Sequence, residues 1–453
     1  MFTPHRSSAM QALLAALAIS LAAGPTAQAA TELENKLVIV TSFPKDLFSA
    51  FQRGFEKQHP GTKVEVLNKQ TAAGIKYLEE TAANNQSDIF WASAPDAFEV
   101  LKGDKLLAKY TPQAKGIPAK IGAFPTHDPE GFFMGFAASG YGIMYNTRYL
   151  KAKNLPVPKE WSDLTKPVYF GHVALSAPSR SGTTHLTIEA ILQGEGWEKG
   201  WRTVKEMAGN FAQITERSFG VPEGVNSGVF GIGIVIDFFG FSSQASGFPV
   251  EFVYPTVTTI VPANVAIVKD APHPKAAAAF VEYLLSAEGQ ELLLDPKIMR
   301  LPVRPETYAK APAGFPNPFK DPSIGAAVKF DTILSEKRYN LVNSLFDVIA
   351  TFRLDDLKAA TKAIQEAETA LAQKANAEAA KLVKEARDLI AAMPVDEAKA
   401  NDPALNAVFT KTRAKPGDIV PPRQAEVEQQ WDSFAKANYL KARDLALKAK
   451  SML

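Results

Sequence analysis

Short apolar runs alternate with stretches of helical period along most of the chain. LVIVTSF, Leu37 to Phe43, is a β-branched apolar run of the kind that forms a strand buried on both faces. In the next segment Leu47, Phe48, Phe51 and Phe55 recur at helical spacing, and Pro60 with Gly61 ends the pattern. VEVL, Val64 to Leu67, predicts a second strand. SDIFWASAPDAFEVLKGDKLL repeats the order: strand, a turn containing Pro95, then a short helix. Alternating β and α units predict a parallel sheet covered on both faces.

GFAASGYGIMYN, Gly135 to Asn146, has no helical period and is studded with glycine, which suits a strand crossing between two lobes. A second α/β unit follows, with YFGHVALS, FAQITE and GIGIVI as strands and SGTTHLTIEAILQGEGWEKGWRTVKEMA as two helices. VEFVYP and NVAIV predict further strands, and PKAAAAFVEYLLSAEGQELLL a single amphipathic helix with Pro274 near its first turn. Beyond about Asp321 the chain turns helical. Leu354 to Met393 predicts a long helix or a helical hairpin, and a loop with Pro416, Pro421 and Pro422 precedes a last helix over Glu426 to Lys450.

Composition narrows the function. Of 453 residues, 46% are hydrophobic and 22% charged, as in a globular protein with more than one core. The net charge of +2 leaves no global field for nucleic acid, so any preference for anions must be local. His5 and Arg6, an apolar run and small residues around Ala27 to Ala29 have the layout of a cleaved signal peptide, residues 1–30. The chain has no cysteine, which excludes disulfides, thiolate metal sites and a lipid-modified cysteine anchor. The periplasm is therefore the expected compartment.

Loops at the C-terminal ends of parallel strands lead into helix N-termini, where free N–H groups and the helix dipole favour negative charge. Three such loops are rich in hydroxyls: Thr41-Ser42-Phe43-Pro44, Ser93-Ala94-Pro95, and SAPSRSGTTH. The last places Ser176, Ser179, Arg180, Ser181, Thr183 and Thr184 around Gly182, just before a helix. Arg180 offers a bidentate fork to phosphate or carboxylate. The same loop is equally a surface turn with a Ser/Thr helix cap. Arg217 ends a strand and serves either an internal ion pair or a ligand. Asp237, followed by Phe238, serves either as a cap or as an acceptor for ligand hydroxyl or ammonium groups. No HExxH pair, Walker-type loop or G-x-S-x-G elbow occurs, so the expectation is a binding protein without a cofactor rather than an enzyme.

LVIVTSFPKDLFSAFQRGFEKQHPG, SDIFWASAPDAFEVL, GYGIMYN, the SAPSRSGT loop and PHPKAAAAFVEYLLSAEGQELL together resemble periplasmic solute-binding proteins of ABC importers. The resemblance is to the subgroup of ferric-ion, phosphoglycerate, sugar-phosphate and phosphonate binders, and runs over roughly Lys36 to Tyr308. It implies an α/β fold of two lobes joined by a hinge (type II), with ligand enclosed between them. It also implies that the loops at Ser42, Ser93, Ser139-Gly140-Tyr141 and Ser176 to Thr184 face the cleft. The expected division is 31–135 for the first part of lobe 1, 136–250 for lobe 2, 251–320 for the return and hinge, and 321–453 for a C-terminal helical extension packed on the lobes.

Ferric-ion binders of this subgroup carry adjacent tyrosines after the strand matching GIGIVI; here Asp237-Phe238-Phe239 stand there, and phenylalanine has no oxygen to give iron. The resemblance thus implies a monomer that captures a small phosphorylated or phosphonate anion and docks on an ABC permease or a sensor kinase. A ferric-ion carrier is the alternative. A phosphate-ester hydrolase would need a metal site or an activated nucleophile.

Overall fold

The computed structural model describes Met1 and residues 33–453 except Ala123 and Ala414, so the segment read as a signal peptide lies outside the described residues. The strands that position the site are β1 (Lys36–Thr41), β2 (Lys63–Asn68), β3 (Ile89–Ala92), β4 (Met134–Asn146), β5 (Val173–Ser176), β6 (Phe211–Thr215), β7 (Ile232–Ile236), β8 (Val250–Val253), β9 (Ile260–Ile267) and β10 (Leu301–Pro302). They pair in the order β2-β1-β3-β9-β4-β7-β5-β6, with β8 and β10 added along β4. β1 pairs in parallel with β2 and β3, and β5 in parallel with β6 and β7. β9 and β4, both antiparallel to their neighbours, join these two parallel halves.

β4 is buried at all thirteen positions because it belongs to both halves. Met134 to Gly140 pair with β9, whereas Tyr141 to Tyr145 pair with β7, so the chain changes partner between Gly140 and Tyr141. Gly140 and Gly142 sit where neighbours come closest. A Cβ on Gly142 would lie 2.2 Å from the Val253 carbonyl oxygen, closer than any side chain tolerates.

Helices cover the sheet. α1 (Lys45–Gln58) buries Leu47, Phe51 and Phe55, one turn apart, against Trp91, Phe136 and Phe280 in the core of the first half. α2 (Thr71–Thr81) and α3 (Pro95–Gly103) follow β2 and β3, and Pro95 opens α3 at a position that needs no N–H. In the second half α4 (Gly182–Glu195) and α5 (Trp197–Gly209) are separated by Gly196, whose φ of 86° suits glycine. α6 (Asp237–Ala245) follows β7. The segment expected to form one helix from Pro274 breaks at Ser286. α7 (Pro274–Leu285) ends there, and the Ser286 hydroxyl accepts from the Gly289 amide to start a separate turn.

The C-terminal region comprises α8 (Thr332–Lys337), α9 (Tyr339–Phe346), α10 (Leu354–Gln373), α11 (Ala377–Ala391) and α12 (Pro422–Ser451). α10 and α11 form a hairpin because Asn376 caps α11, accepting from the Glu378 and Ala379 amides. α12 begins four residues before its expected start, with Pro422 at its first helical position. Leu345, Ile364, Trp431 and Tyr439 share one apolar core with Ile143, Val173, Trp201 and Phe211 of the second half. At about 1.5–3 kcal/mol for each fully buried large side chain, that core binds the C-terminal helices firmly to the sheet.

α4 is consequently buried on nearly every face. Its two ionisable side chains that face the C-terminal region are both paired. Glu189 takes a two-pronged contact from Arg338 at 2.8 Å, and His185 bonds Asn343 and Ser335 while lying 3.2 Å from Asp96 of α3. Pairing of this kind offsets much of the cost of burying charge.

Candidate functional site

The hydroxyl-rich loops meet. Ser42, Phe43, Ser93, Arg180, Ser181, Gly182, Thr183, Arg217 and Phe238 line one cavity of about 30 Å³ between the two halves of the sheet. Each is held by its element. The Thr41 hydroxyl donates to the Trp91 carbonyl at 2.7 Å and accepts from the Phe43 amide, and the Asn68 amide donates to the carbonyls of Thr41 and Phe43. The loop after β1 is thereby fixed to β2 and β3. Ser181 caps α4 by accepting from the Thr184 amide, so the N-terminus of a buried fourteen-residue helix faces the cavity. The helix dipole is screened little in such a setting.

Other residues anticipated from sequence lie around the cavity rather than on it. Ser176 and Ser179 are buried with hydroxyls that lack a hydrogen bond, and Ser179 sits beside the Asp347 carboxyl group without reaching good geometry. The Thr184 side chain is buried and absent from the cavity wall. Tyr141 is fully buried, and that burial raises its phenol well above the ordinary range. Ser139 faces Arg300 instead. The Asp237 carboxylate is already engaged: it accepts from the Gly140 amide and the Tyr254 hydroxyl at 2.7 Å each, and from the Phe238 amide. Burial pushes its pKa up to about 6 despite those bonds and the nearby Arg300.

The residue that sequence reasoning missed is Arg300. It precedes β10, which pairs with Ala137 and Ala138 of β4 and so sets the side chain just behind the cavity wall. The guanidinium is fully buried. It lies 4.5 Å from the Phe43 ring centre and 4.0 Å from that of Phe238, both of which line the cavity. Its Nη2 donates to Ser93 Oγ at 2.7 Å and its Nη1 to Ser139 Oγ at 3.2 Å, while Nε has no partner. Among the described residues no carboxylate forms an ion pair with it. Asp237 acts on it only at longer range, and burial lowers its pKa to about 9. The one sign in the sequence was a lone charge inside the apolar run IMRLPV.

Two further arginines, Arg180 and Arg217, line the cavity, and no acidic side chain does so among the described residues. The halves touch across it. The Gly182 amide donates to the Thr71 hydroxyl at 3.3 Å, Gln70 to the Glu216 carbonyl at 3.4 Å, and Arg217 to Asn68 at 3.5 Å. A volume of this size is about one water's share, so a polyatomic anion enters only if the halves part. Among the described residues no three His, Cys, Asp or Glu side chains converge on a metal position, and no helix is long and apolar enough to cross a membrane.

Residues 84–334 match the sequence profile of the bacterial extracellular solute-binding proteins. A phosphoglycerate transport regulatory protein of Salmonella typhimurium is 31% identical over 376 residues, 83% of this chain and 90% of that protein. An Fe(3+)-binding periplasmic protein of Serratia marcescens is 24% identical over 290 residues, 62% of this chain and 82% of that one. Among solved structures, a periplasmic binding protein of Actinobacillus pleuropneumoniae with fructose-6-phosphate bound superposes with a TM-score of 0.63, at 22% identity, over 69% of this chain and 98% of that chain. The apo ferric ion-binding protein A of Pasteurella haemolytica gives a TM-score of 0.55 at 17% identity, over 69% of this chain and 97% of that one. The last two likenesses bear on the fold, which is that of two-lobed periplasmic binding proteins with an added helical C-terminal region.

Proposed function

The chain belongs to the bacterial extracellular solute-binding proteins, and from that premise we propose that it captures a small phosphorylated or phosphonate organic anion between its lobes, in the periplasm, for delivery to a membrane partner. The observation that carries this reading is Arg300, a fully buried cation directly behind the cavity wall, against the rings of Phe43 and Phe238 and without a carboxylate at bonding distance. Leaving a charge uncompensated in the interior costs several kcal/mol, so a fold that retains one reserves it for an anion. The N-terminus of α4 and the guanidinium groups of Arg180 and Arg217 add donors from the opposite lobe. Binding to both sides draws the lobes together, and the closed form is what an ABC permease or a sensor engages.

The match to the phosphoglycerate transport regulatory protein is long enough to reach past residue 320, into the helical C-terminal region. That supports a ligand related to phosphoglycerates and a link to transport regulation. Thermal-shift measurements on the protein with phosphoglycerates, hexose phosphates, aminoethylphosphonate, inorganic phosphate and Fe³⁺ test the reading, since a specific ligand raises the midpoint with its excess over the dissociation constant. A rise with an organic phosphate or phosphonate is the expected result; a rise with Fe³⁺ alone overturns it.

A further inference from the structure

A second pocket of about 220 Å³ adjoins the ligand cavity, and the two share Gln70 and Arg180. It is roughly seven times the share of one water, which is room for a small organic group. Its remaining wall comes from four parts of the chain: Lys76 of α2, Val100 of α3, Ser179 of the anion loop, and, from the C-terminal region, Tyr339 with the loop Thr410 to Thr412. Three polar atoms of the wall residues are sealed from solvent behind it and unbonded: Ser179 Oγ, Arg180 Nε and the Tyr339 hydroxyl, which lies near the Asn343 amide short of hydrogen-bonding geometry. Ser179 and Tyr339 are themselves 2% and 3% exposed.

The C-terminal loop is not a loose strap over this pocket. The fully buried Gln424 accepts from the Thr410 and Lys411 amides at 3.2 Å each, donates to the Lys411 carbonyl, and is fixed in turn by Glu428 at 2.7 Å. Lys411 Nζ donates to the Ile419 carbonyl at 2.6 Å, which leaves two of its three N–H groups for another acceptor. The pocket gathers three cations, Lys76, Arg180 and Lys411, against one carboxyl group, Glu79. Burial and the neighbouring Asp104 raise the pKa of Glu79.

We propose that this pocket is a second anionic subsite of the same cleft, and that the C-terminal region takes part in ligand binding through Lys411. The ligand class is then an organic phosphate or phosphonate with a carboxylate at its other end: the phosphoryl group lies over Arg300 and α4, and the carboxylate between Lys76, Arg180 and Lys411. This rests on the phosphoryl reading of the first cavity.

Calorimetric titration of the full chain with 3-phosphoglycerate and glycerol 3-phosphate, a pair that differs by a carboxylate for a hydroxymethyl group, tests it. Wild type is expected to bind 3-phosphoglycerate at least about tenfold more tightly. Lys411→Gln and Lys76→Gln, both at exposed side chains, are each expected to erase most of that difference while changing glycerol 3-phosphate affinity less than about twofold. Equal affinity for the two esters in wild type, or variants that weaken both esters alike or neither, overturns the second subsite and leaves the first reading standing. Absence of heat with every phosphate ester in wild type removes both.

Discussion

Arg300 donates to the Ser93 hydroxyl over 2.7 Å, joining a side chain that precedes β10 to the loop that follows β3. The contact spans 207 residues of sequence and leaves the guanidinium between two aromatic rings with no carboxylate at bonding distance. A buried charge in that position either supports the fold or awaits a ligand, and stability separates the two roles.

Arg300→Met is the informative substitution. Methionine fills similar length, meets Phe43 and Phe238 favourably through sulfur, and removes the cost of burying a charge. The ligand-free variant is expected to melt at or above the wild-type temperature in differential scanning calorimetry. A sharp fall would assign Arg300 to the architecture instead.

Gly182 controls how closely the lobes meet. A Cβ there would lie 2.7 Å from the Ala94 Cβ and 3.0 Å from the Thr71 hydroxyl oxygen, both across the cleft. Alanine at 182 therefore presses on the buried Ala94 and wedges the lobes apart. Small-angle scattering with saturating ligand is expected to show a larger radius of gyration than wild type, with affinity about tenfold weaker. An unchanged radius and affinity would mean that the lobes bind ligand without this contact.

Asp237→Asn places an NH₂ group against donors, since the carboxylate now accepts from Gly140, Tyr254 and Phe238. The expected cost is about 1–3 kcal/mol of stability from a buried group left unsatisfied, with all ligands weakened in similar proportion. A change of ligand preference with the melting temperature unaltered would show instead that the carboxylate meets the ligand directly.

How far the sequence disclosed this arrangement depends on the distance over which each feature is encoded. β1 is visible because Leu37 to Val40 are contiguous apolar residues, and α1 because Leu47, Phe51 and Phe55 keep a helical period. The start of α4 was legible to within a residue or two for the same local reason, a Ser/Thr loop running into an apolar helix: it is expected near Thr183 or Thr184 and lies at Gly182, capped by Ser181. The break at Ser286 was not, because a hydroxyl that ends one helix and caps the next leaves the apolar period of PKAAAAFVEYLLSAEGQELLL intact. Arg300 was invisible because its meaning lies in contacts with Ser93 and Ser139, 207 and 161 residues away. Asp237 was seen as a candidate, but only the fold shows which donors claim its oxygens.

Lys205 of α5 supplies a pH dependence. Its ammonium is buried, donates to the Ala392 carbonyl at 2.7 Å and lies 5.2 Å from the centre of the Tyr439 ring, with burial lowering its pKa to about 7. The unfolded chain keeps this proton up to about pH 10. Between about pH 7 and 10 the unfolded state therefore binds more protons, and stability from this group rises with pH; below pH 7 both states are protonated and the slope vanishes. Lys205→Met is expected to flatten the rise, read as the difference between variants in urea unfolding at pH 7, 8 and 9. A difference that stays constant across that range would show the lysine to be charged in the fold.

The central claim is that the cleft over Arg300 binds a small phosphorylated or phosphonate anion, and calorimetric titration tests it most directly. Wild type and Arg300→Met would be titrated with a matched set: phosphate esters, phosphonates, and the same carbon skeletons without the phosphorus group. Saturable binding to a phosphorus-containing member, absent for its phosphorus-free counterpart and weakened at least about a hundredfold in Arg300→Met, is the expected result. Tight binding of the phosphorus-free counterparts, or equal affinity in the two proteins, would contradict it.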